Sequence, residues 1–138
     1  MRFAPVLLCL SILAAPVAGQ AAEPQSSSPK YSPAYDRCLA SPDGQSTIGM
    51  IQCAAVELKV QDARLNRAYQ DAMKRLDLPR QKTALKKAQR AWIAYRDADC
   101  ASVYDPDWGS LARIEANACV LDHTARRADA LEMYRRLR

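Results

Sequence analysis

The chain has 138 residues, a formal net charge of +5, five cysteines and a single histidine. Its length suits one domain with a modest hydrophobic core and excludes an architecture of several large domains. One histidine, long cysteine spacings and no Cys-x-x-Cys pair also argue against the common zinc sites.

The first 21 residues have the pattern of a secretory signal peptide. A short charged region is followed by an apolar stretch over residues 4–18, and Gly19 and Ala21 supply small residues before a cut after Ala21. Cleavage after Gly19 or Ala22 is the alternative. The apolar stretch is shorter than the roughly 20 residues of a membrane span. We therefore expect a periplasmic or secreted protein with no transmembrane segment after cleavage.

The rest of the chain predicts a leader and a helical domain. Residues 22–34 are polar and rich in proline and serine, which indicates a flexible leader before a folded domain over residues 35–138. The segment from Tyr31 to Ser46, which carries Cys38, is expected to form a short turn or helix held by its cysteine. After it, apolar residues recur every three to four positions. They predict helices from Ser46 or Thr47 to about Leu76, from Pro79 to about Ser102, and from a Ser110 cap to near the C-terminus. Short connections predict an all-α, small antiparallel bundle of three main helices.

The four cysteines of the exported chain predict two disulfides. We favour Cys38 with Cys53 and Cys100 with Cys119, which would tie the first segment to helix one and close the loop between helices two and three. The rival pairs Cys53 with Cys100 and Cys38 with Cys119, because Cys53 and Cys100 are almost equally far from the turn near Leu78. Each bridge would stabilise the fold by roughly 2–4 kcal/mol.

Two charged residues fall on helix faces that are expected to be buried. Asp62 lies among apolar residues of helix one, and Arg96 shares a face of helix two with Trp92. Both lie at similar distances from the turn between these helices. We predict a buried ion pair between Asp62 and Arg96, with Glu57 as the alternative carboxylate, because a buried charge without a partner costs several kcal/mol. A structural role for this pair is favoured over a recognition or catalytic role.

The most specific pattern in the chain lies on helix two and is flanked by shorter ones. It reads Gln89-Arg90-x-Trp92-x-x-x-Arg96-Asp97-x-x-Cys100. Before it stand Tyr35-x-x-Cys38, Cys53-x-x-x-Glu57 and Asp62-x-x-Leu65-Asn66-x-x-Tyr69, and after it stand Gly109-Ser110 and Cys119-x-x-x-x-Thr124-x-x-Arg127-x-x-x-Leu131. Over residues 35–131 the chain resembles the LprI-like lysozyme-inhibitor domain family of exported bacterial proteins.

The resemblance implies a compact helical domain of the cell envelope that binds lysozyme and blocks peptidoglycan hydrolysis. It also implies a structural motif made of Gln89, Trp92, Asp97, Thr124 and Arg127. Most of the recurrent residues fall on cysteines and expected core positions, so the resemblance supports the fold more directly than the partner.

An enzyme is not predicted. His123 is the only histidine and has no nucleophile signature near it, the cysteines are expected to be oxidised, and no hydrolase or phosphate-loop motif occurs. We expect no cofactor, no metal and no nucleic-acid partner.

Two binding hypotheses remain. The first is a protein binder of the lysozyme-inhibitor type, with Lys86, Lys87 and Arg90, or Trp108 beside Asp105 and Asp107, as its candidate surface. Animal lysozymes of the common type are basic, as this chain is, so like charge weakens binding unless a local acidic patch overrides it. Alternatively, a basic side chain could enter the carboxylate-lined cleft of the hydrolase. The alternative is a structural or adaptor module whose basic clusters bind anionic components of the cell envelope.

Overall fold

The computed structural model describes residues 28–136, so the predicted signal peptide and residues 22–27 of the predicted leader lie outside the described part. All regular structure in residues 28–136 is helical. The α-helices are α1 (Pro33–Ala40), α2 (Thr47–Arg75), α3 (Pro79–Ser102) and α4 (Ser110–Glu132), and the short 3₁₀ helices are Asp43–Gln45, Pro106–Trp108 and Met133–Arg136. Among these described helices, none combines the length and apolar character needed to cross a membrane.

The all-α prediction is confirmed, but the structure has four α-helices where three main ones were predicted. The additional helix is α1, whose eight residues are too few for a clear apolar period. It begins with Pro33 after the N-cap Ser32, whose hydroxyl accepts from the backbone N–H of Tyr35. Its stability therefore depends on contacts that α1 makes with the rest of the chain, since so short a helix is marginal alone.

Local signals set the ends of α2 and α3 close to where they were predicted. Ser46 caps α2 by accepting from the backbone N–H of Gly49 at 3.0 Å, and Pro79 occupies the first turn of α3. The predicted cap of α4 is wrong: Ser110 is its first helical residue, and the N-cap is Gly109, which makes no side-chain cap. Gly109 has φ +60° and turns the chain into α4 through a conformation that side chains disfavour.

The core lies mainly between α2 and α4. These helices run parallel and meet through small side chains that let their backbones come close. The buried cluster consists of Leu65, Ala68, Ala72, Leu85, Ala128 and Leu131. The chain returns along α3, which packs antiparallel on α4; its backbone stays farther from α2, and Leu85 reaches the core that α2 and α4 share. Leu85 and Cys100 are the buried residues of α3, so much of this helix is left open to solvent.

Candidate functional site

The disulfides are the pairs that local pairing predicted. Cys38 is bonded to Cys53 and Cys100 to Cys119, with Cα atoms 5.8 and 5.5 Å apart. The rival pairing of Cys53 with Cys100 is absent because the C-terminal end of α3, where Cys100 lies, packs on α4. The first bridge holds α1 on α2, and the second fastens the end of α3 to α4.

Glu57 is the centre of a buried hydrogen-bond cluster at the start of the folded domain. Its side chain is 2% exposed and accepts from the backbone N–H of Ser32 at 2.8 Å, the Ser32 hydroxyl at 2.5 Å and Gln61 Nε2 at 2.7 Å. Gln61 Nε2 also donates to the carbonyl of Lys30 at 2.9 Å. Burial raises the pKa of Tyr35, and the nearby Glu57 adds to that shift. The cluster fixes the chain ahead of α1 against α2.

Residues 29–34 consequently belong to the folded domain, although they were predicted to be part of a flexible leader. Pro29 is buried, and the Tyr31 hydroxyl donates to Asp122 Oδ1 at 3.3 Å. Burial, with help from Asp122, raises the pKa of Tyr31 to about 12. Arg126 Nε donates to the other oxygen of Asp122 at 2.6 Å, so this carboxylate joins the entering chain to α4.

The predicted buried ion pair of Asp62 and Arg96 is wrong. Asp62 is exposed, whereas Arg96 Nη2 lies 2.8 Å from Asp97 Oδ1 and Arg96 Nη1 lies 3.5 Å from Thr124 Oγ1. Glu57, the alternative partner, is held by Ser32 and Gln61 instead. The physical reason is the packing of α3 on α4, which turns Arg96 toward Thr124 and away from α2.

Arg64 makes an ion pair that joins α2 to α4. The sequence patterns did not predict this contact. Arg64 Nε and Nη2 donate to the two oxygens of Glu132 at 2.8 and 2.7 Å, and Nη2 also contacts Asp129. The hydrogen bonds that Arg64 donates to Glu132 are the main reason that the pKa of Arg64 is raised. The signal available in the sequence was the pair of acids at positions 129 and 132, which share one face of the last helix.

The motif residues of α3 and α4 form a stack between these two helices. The Trp92 ring lies between the guanidinium groups of Arg96 and Arg127, at 5.1 and 5.8 Å from its centroid. Arg127 Nε donates to Gln89 Oε1 at 2.9 Å, and the buried Thr124 donates to the carbonyl of Val120. This arrangement combines cation–π contacts with hydrogen bonds and fastens α3 to α4.

Arg127 is unusual within this stack because no carboxylate pairs with it among the described residues. Burial lowers its pKa, and its neighbours Gln89 and Trp92 stabilise it without neutralising it. The stack is therefore a partly buried centre of positive charge.

An open groove of about 360 Å³ lies between α2 and α3, where the two helices diverge. Its walls are polar and cationic. The lining residues are Asn66, Tyr69, Lys86, Gln89, Arg90 and Ile93. Four of them, Asn66, Tyr69, Gln89 and Arg90, come from the sequence patterns that carry the family resemblance, and no acidic side chain is among the six. Lys87, also predicted as a surface residue, is exposed on α3 without lining the groove.

The second distinctive surface is formed by the connection between α3 and α4 together with the first two residues of α4, residues 103–111, which we call the apical loop. Its large apolar side chains are exposed to solvent. They are Val103, Tyr104, Trp108 and Leu111, with Trp108 58% and Tyr104 49% exposed. Asp105 Oδ1 accepts from the backbone N–H of Asp107 at 2.9 Å and shapes the loop. The disulfide of Cys100 and Cys119 closes its base.

The apical loop lies in an acidic stretch of an otherwise basic chain. Residues 97–112 contain four acids and no lysine or arginine. The acids are Asp97, Asp99, Asp105 and Asp107. Asp97 is paired with Arg96 and Asp99 contacts His123, whereas Asp105 and Asp107 form no ion pair among residues 28–136. These two acids give the loop a local negative charge that would attract a basic partner.

His123 lies close to the base of the apical loop. Its Nε2 is 2.9 Å from Asp99 Oδ2, and one of its ring nitrogens lies within 4.8 Å of the sulfur atoms of Cys100 and Cys119. A histidine and two sulfurs are a plausible set of metal ligands by type, but a thiolate is the form that binds metal. In the disulfide-bonded protein, this group holds neither thiolate ligands nor a thiol nucleophile for His123 to activate.

The family of the chain follows from its comparison with known proteins. A model of the family described as "Lysozyme inhibitor LprI" matches residues 38–131. This chain belongs to the LprI family. The matched LprI segment contains both disulfides, the stack around Trp92, the groove and the apical loop, so the resemblance found in the sequence is confirmed.

Two relatives of this LprI-family domain come from bacteria, and neither has a name that states an activity. The "Uncharacterized protein YecT" of Escherichia coli is 30% identical over 109 residues, covering 67% of each chain. An uncharacterized protein of Rhizobium meliloti is 29% identical over 93 residues, covering 58% of this chain and 67% of its own. No solved structure matches the LprI-family domain significantly.

Proposed function

We propose that this protein is exported to the cell envelope, where it binds a basic lysozyme-type hydrolase through the apical loop and inhibits it without catalysing a reaction. The family supports a protein partner of this kind. The observation that carries the choice of surface is the exposed Trp108 in an acidic loop whose base is closed by a disulfide.

The composition of the apical loop suits a protein interface. Tryptophan and tyrosine are enriched among the residues that contribute most to binding, and Trp108 and Tyr104 leave large rings exposed. The Cys100–Cys119 bridge and the Asp105 hydrogen bond restrict the loop before binding, which lowers the entropy lost in the complex.

Charge distinguishes the apical loop from the other predicted surface. The lysines and arginine at positions 86, 87 and 90 would meet a basic hydrolase with like charge, whereas Asp105 and Asp107 would attract it. Attraction of this kind speeds association and weakens as salt screens it. We therefore assign the enzyme contact to the loop.

The test is inhibition of a basic lysozyme by the purified, oxidised protein, measured as the initial rate of hydrolysis of a soluble neutral chitooligosaccharide. Replacing Trp108 by alanine should raise the inhibition constant about 30-fold, as expected for loss of an interface residue worth about 2 kcal/mol. The matched control is Ile48→Ala, which removes an apolar side chain that is 69% exposed at the start of α2. Absence of inhibition by the parent protein, or equal loss in both variants, would contradict the proposal.

A further inference from the structure

The first half of α3 carries a charge pattern that costs helix stability. Between residues 79 and 96 there is no aspartate or glutamate, while cations recur along the helix. They are Arg80, Lys82, Lys86, Lys87, Arg90 and Arg96. Arg80 and Lys82 lie in or next to the first turn, where the helix dipole favours acidic side chains and opposes cations. The stability of α3 therefore does not explain why so many cations lie along this helix.

The cations beside the groove are uncompensated. Among residues 28–136, neither Lys86 nor Arg90 forms an ion pair within 4.0 Å, although both line the groove between α2 and α3. Arg127 adds a third positive charge behind Gln89, since its Nε is bound to Gln89 Oε1. An anion in the groove would meet positive potential from both the wall and the interior of the domain.

The uncharged residues that line the groove indicate which class of ligand it can bind. Asn66 and Tyr69 offer an amide and a phenol. Gln89 accepts from Arg127 through its oxygen, and its amide N–H groups, which donate to no acceptor among residues 28–136, can serve a ligand. Such groups pair with hydroxyls, which both donate and accept. Ile93 is the aliphatic residue of the lining, too little to hold an acyl chain. A volume of about 360 Å³ is within the range of about 300–1,000 Å³ typical of ligand sites.

We propose that the groove between α2 and α3 binds an acidic sugar chain. Lys86 and Arg90 contact its carboxylates, and Asn66, Tyr69 and Gln89 contact its hydroxyl groups. This activity goes beyond enzyme inhibition: it anchors the domain on acidic glycan of the envelope while the apical loop remains available. Arg90 and Val103 are separated by roughly 20 Å along the helix, at about 1.5 Å per residue, so the two surfaces are distinct.

Calorimetric titration of the oxidised protein with tri-galacturonate, a soluble carboxylate-bearing sugar, tests the groove. The fully methyl-esterified trisaccharide has the same rings without charge, and citrate has the carboxylates without rings. Tri-galacturonate should bind at least about tenfold more tightly than either, because charge-assisted and hydroxyl hydrogen bonds both contribute. No binding at millimolar concentration, or equal binding of citrate or of the ester, would overturn the proposal.

Two double variants separate the groove from net charge. Lys86→Gln/Arg90→Gln should weaken binding of tri-galacturonate about tenfold or more. Lys59→Gln/Arg113→Gln removes two exposed cations from α2 and α4, and with the same net charge it should leave binding within about twofold. Both variants should keep the circular dichroism spectrum of the parent, because none of these side chains is buried. Equal weakening in the two variants contradicts a specific groove.

Binding of acidic glycan in the groove and inhibition of lysozyme by the apical loop can be tested independently of each other. Inhibition is measured on a neutral soluble substrate, to which the groove has no charge-assisted affinity, and Lys86→Gln/Arg90→Gln should inhibit as the parent does. Loss of inhibition in that variant would mean that the groove is instead part of the enzyme contact, which overturns its assignment to glycan.

Discussion

Glu57 shows how a buried carboxylate is stabilised without a cation. The donors around it are the backbone N–H and hydroxyl of Ser32 and the amide of Gln61. Two of the three come from a segment just before α1, so the carboxylate also acts as a clamp on the incoming chain. Hydrogen bonds to a charged acceptor are stronger than those between neutral groups, and a donor left without its partner costs more still.

Replacing Glu57 by glutamine should lower the free energy of unfolding by about 1–3 kcal/mol, because one acceptor becomes a donor and the charge is lost. Urea unfolding monitored by circular dichroism measures this. Asp62→Asn is the control: it removes the exposed carboxylate that was predicted to be buried, and its effect should stay within about 0.5 kcal/mol. The reverse order of effects would restore the Asp62 hypothesis and contradict the clamp.

The sequence pattern predicted the buried face of α2 only approximately, and the error has a physical cause. Periodicity placed Asp62 with Leu65 and Tyr69, but the buried face of α2 runs through Glu57, Gln61, Leu65 and Ala68 and leaves Asp62 exposed. A helical period gives a stripe about 100° wide or more, and charged residues at its edge fall in or out depending on which helix covers it. The pattern does not reveal that covering helix.

At the scale of helices, predictions based on local chemistry succeeded. The ends of α2 and α3 follow from Ser46 and Pro79, and cysteine spacing favoured the two local disulfides that are present. The neighbours of α3 could not be predicted in this way. A short connection at Leu78 suggested that α2 and α3 pack as a close hairpin, yet alanines on α2 and α4 allow a closer contact there, and α3 reaches the shared core through Leu85. The groove between α2 and α3 results from this packing.

The two disulfides are expected to stabilise the fold equally but to differ in their effect on lysozyme inhibition. They close 15- and 19-residue separations, so replacing either pair by serine should cost about 3 kcal/mol in unfolding free energy. Only Cys100→Ser/Cys119→Ser should also weaken lysozyme inhibition, because it releases the base of the apical loop and raises the entropy cost of binding. Cys38→Ser/Cys53→Ser is the matched control. Equal weakening of inhibition by the two replacements is the result that speaks against a preorganised loop.

Across the whole molecule, the net charge does not show that acidic and basic side chains are concentrated in different places. A total of +5 predicts repulsion from a basic lysozyme, but the acids of residues 97–107 are confined to one end of α3 and the cations of residues 80–90 to the other. The acidic, aromatic loop thus follows the C-terminal end of α3, and the cationic groove lies farther back along the same helix. The protein is accordingly expected to bind a basic enzyme and an acidic glycan at the same time, through separate surfaces.

The most direct test of this account is an NMR titration of the ¹⁵N-labelled, oxidised protein with a basic lysozyme. Amide signals of residues 103–111 and of the adjoining ends of α3 and α4 should shift or broaden at low salt and recover as salt is raised. Signals of the groove residues Asn66, Lys86 and Arg90 should stay in place. Perturbation centred on the groove, or no perturbation at all, would contradict the account.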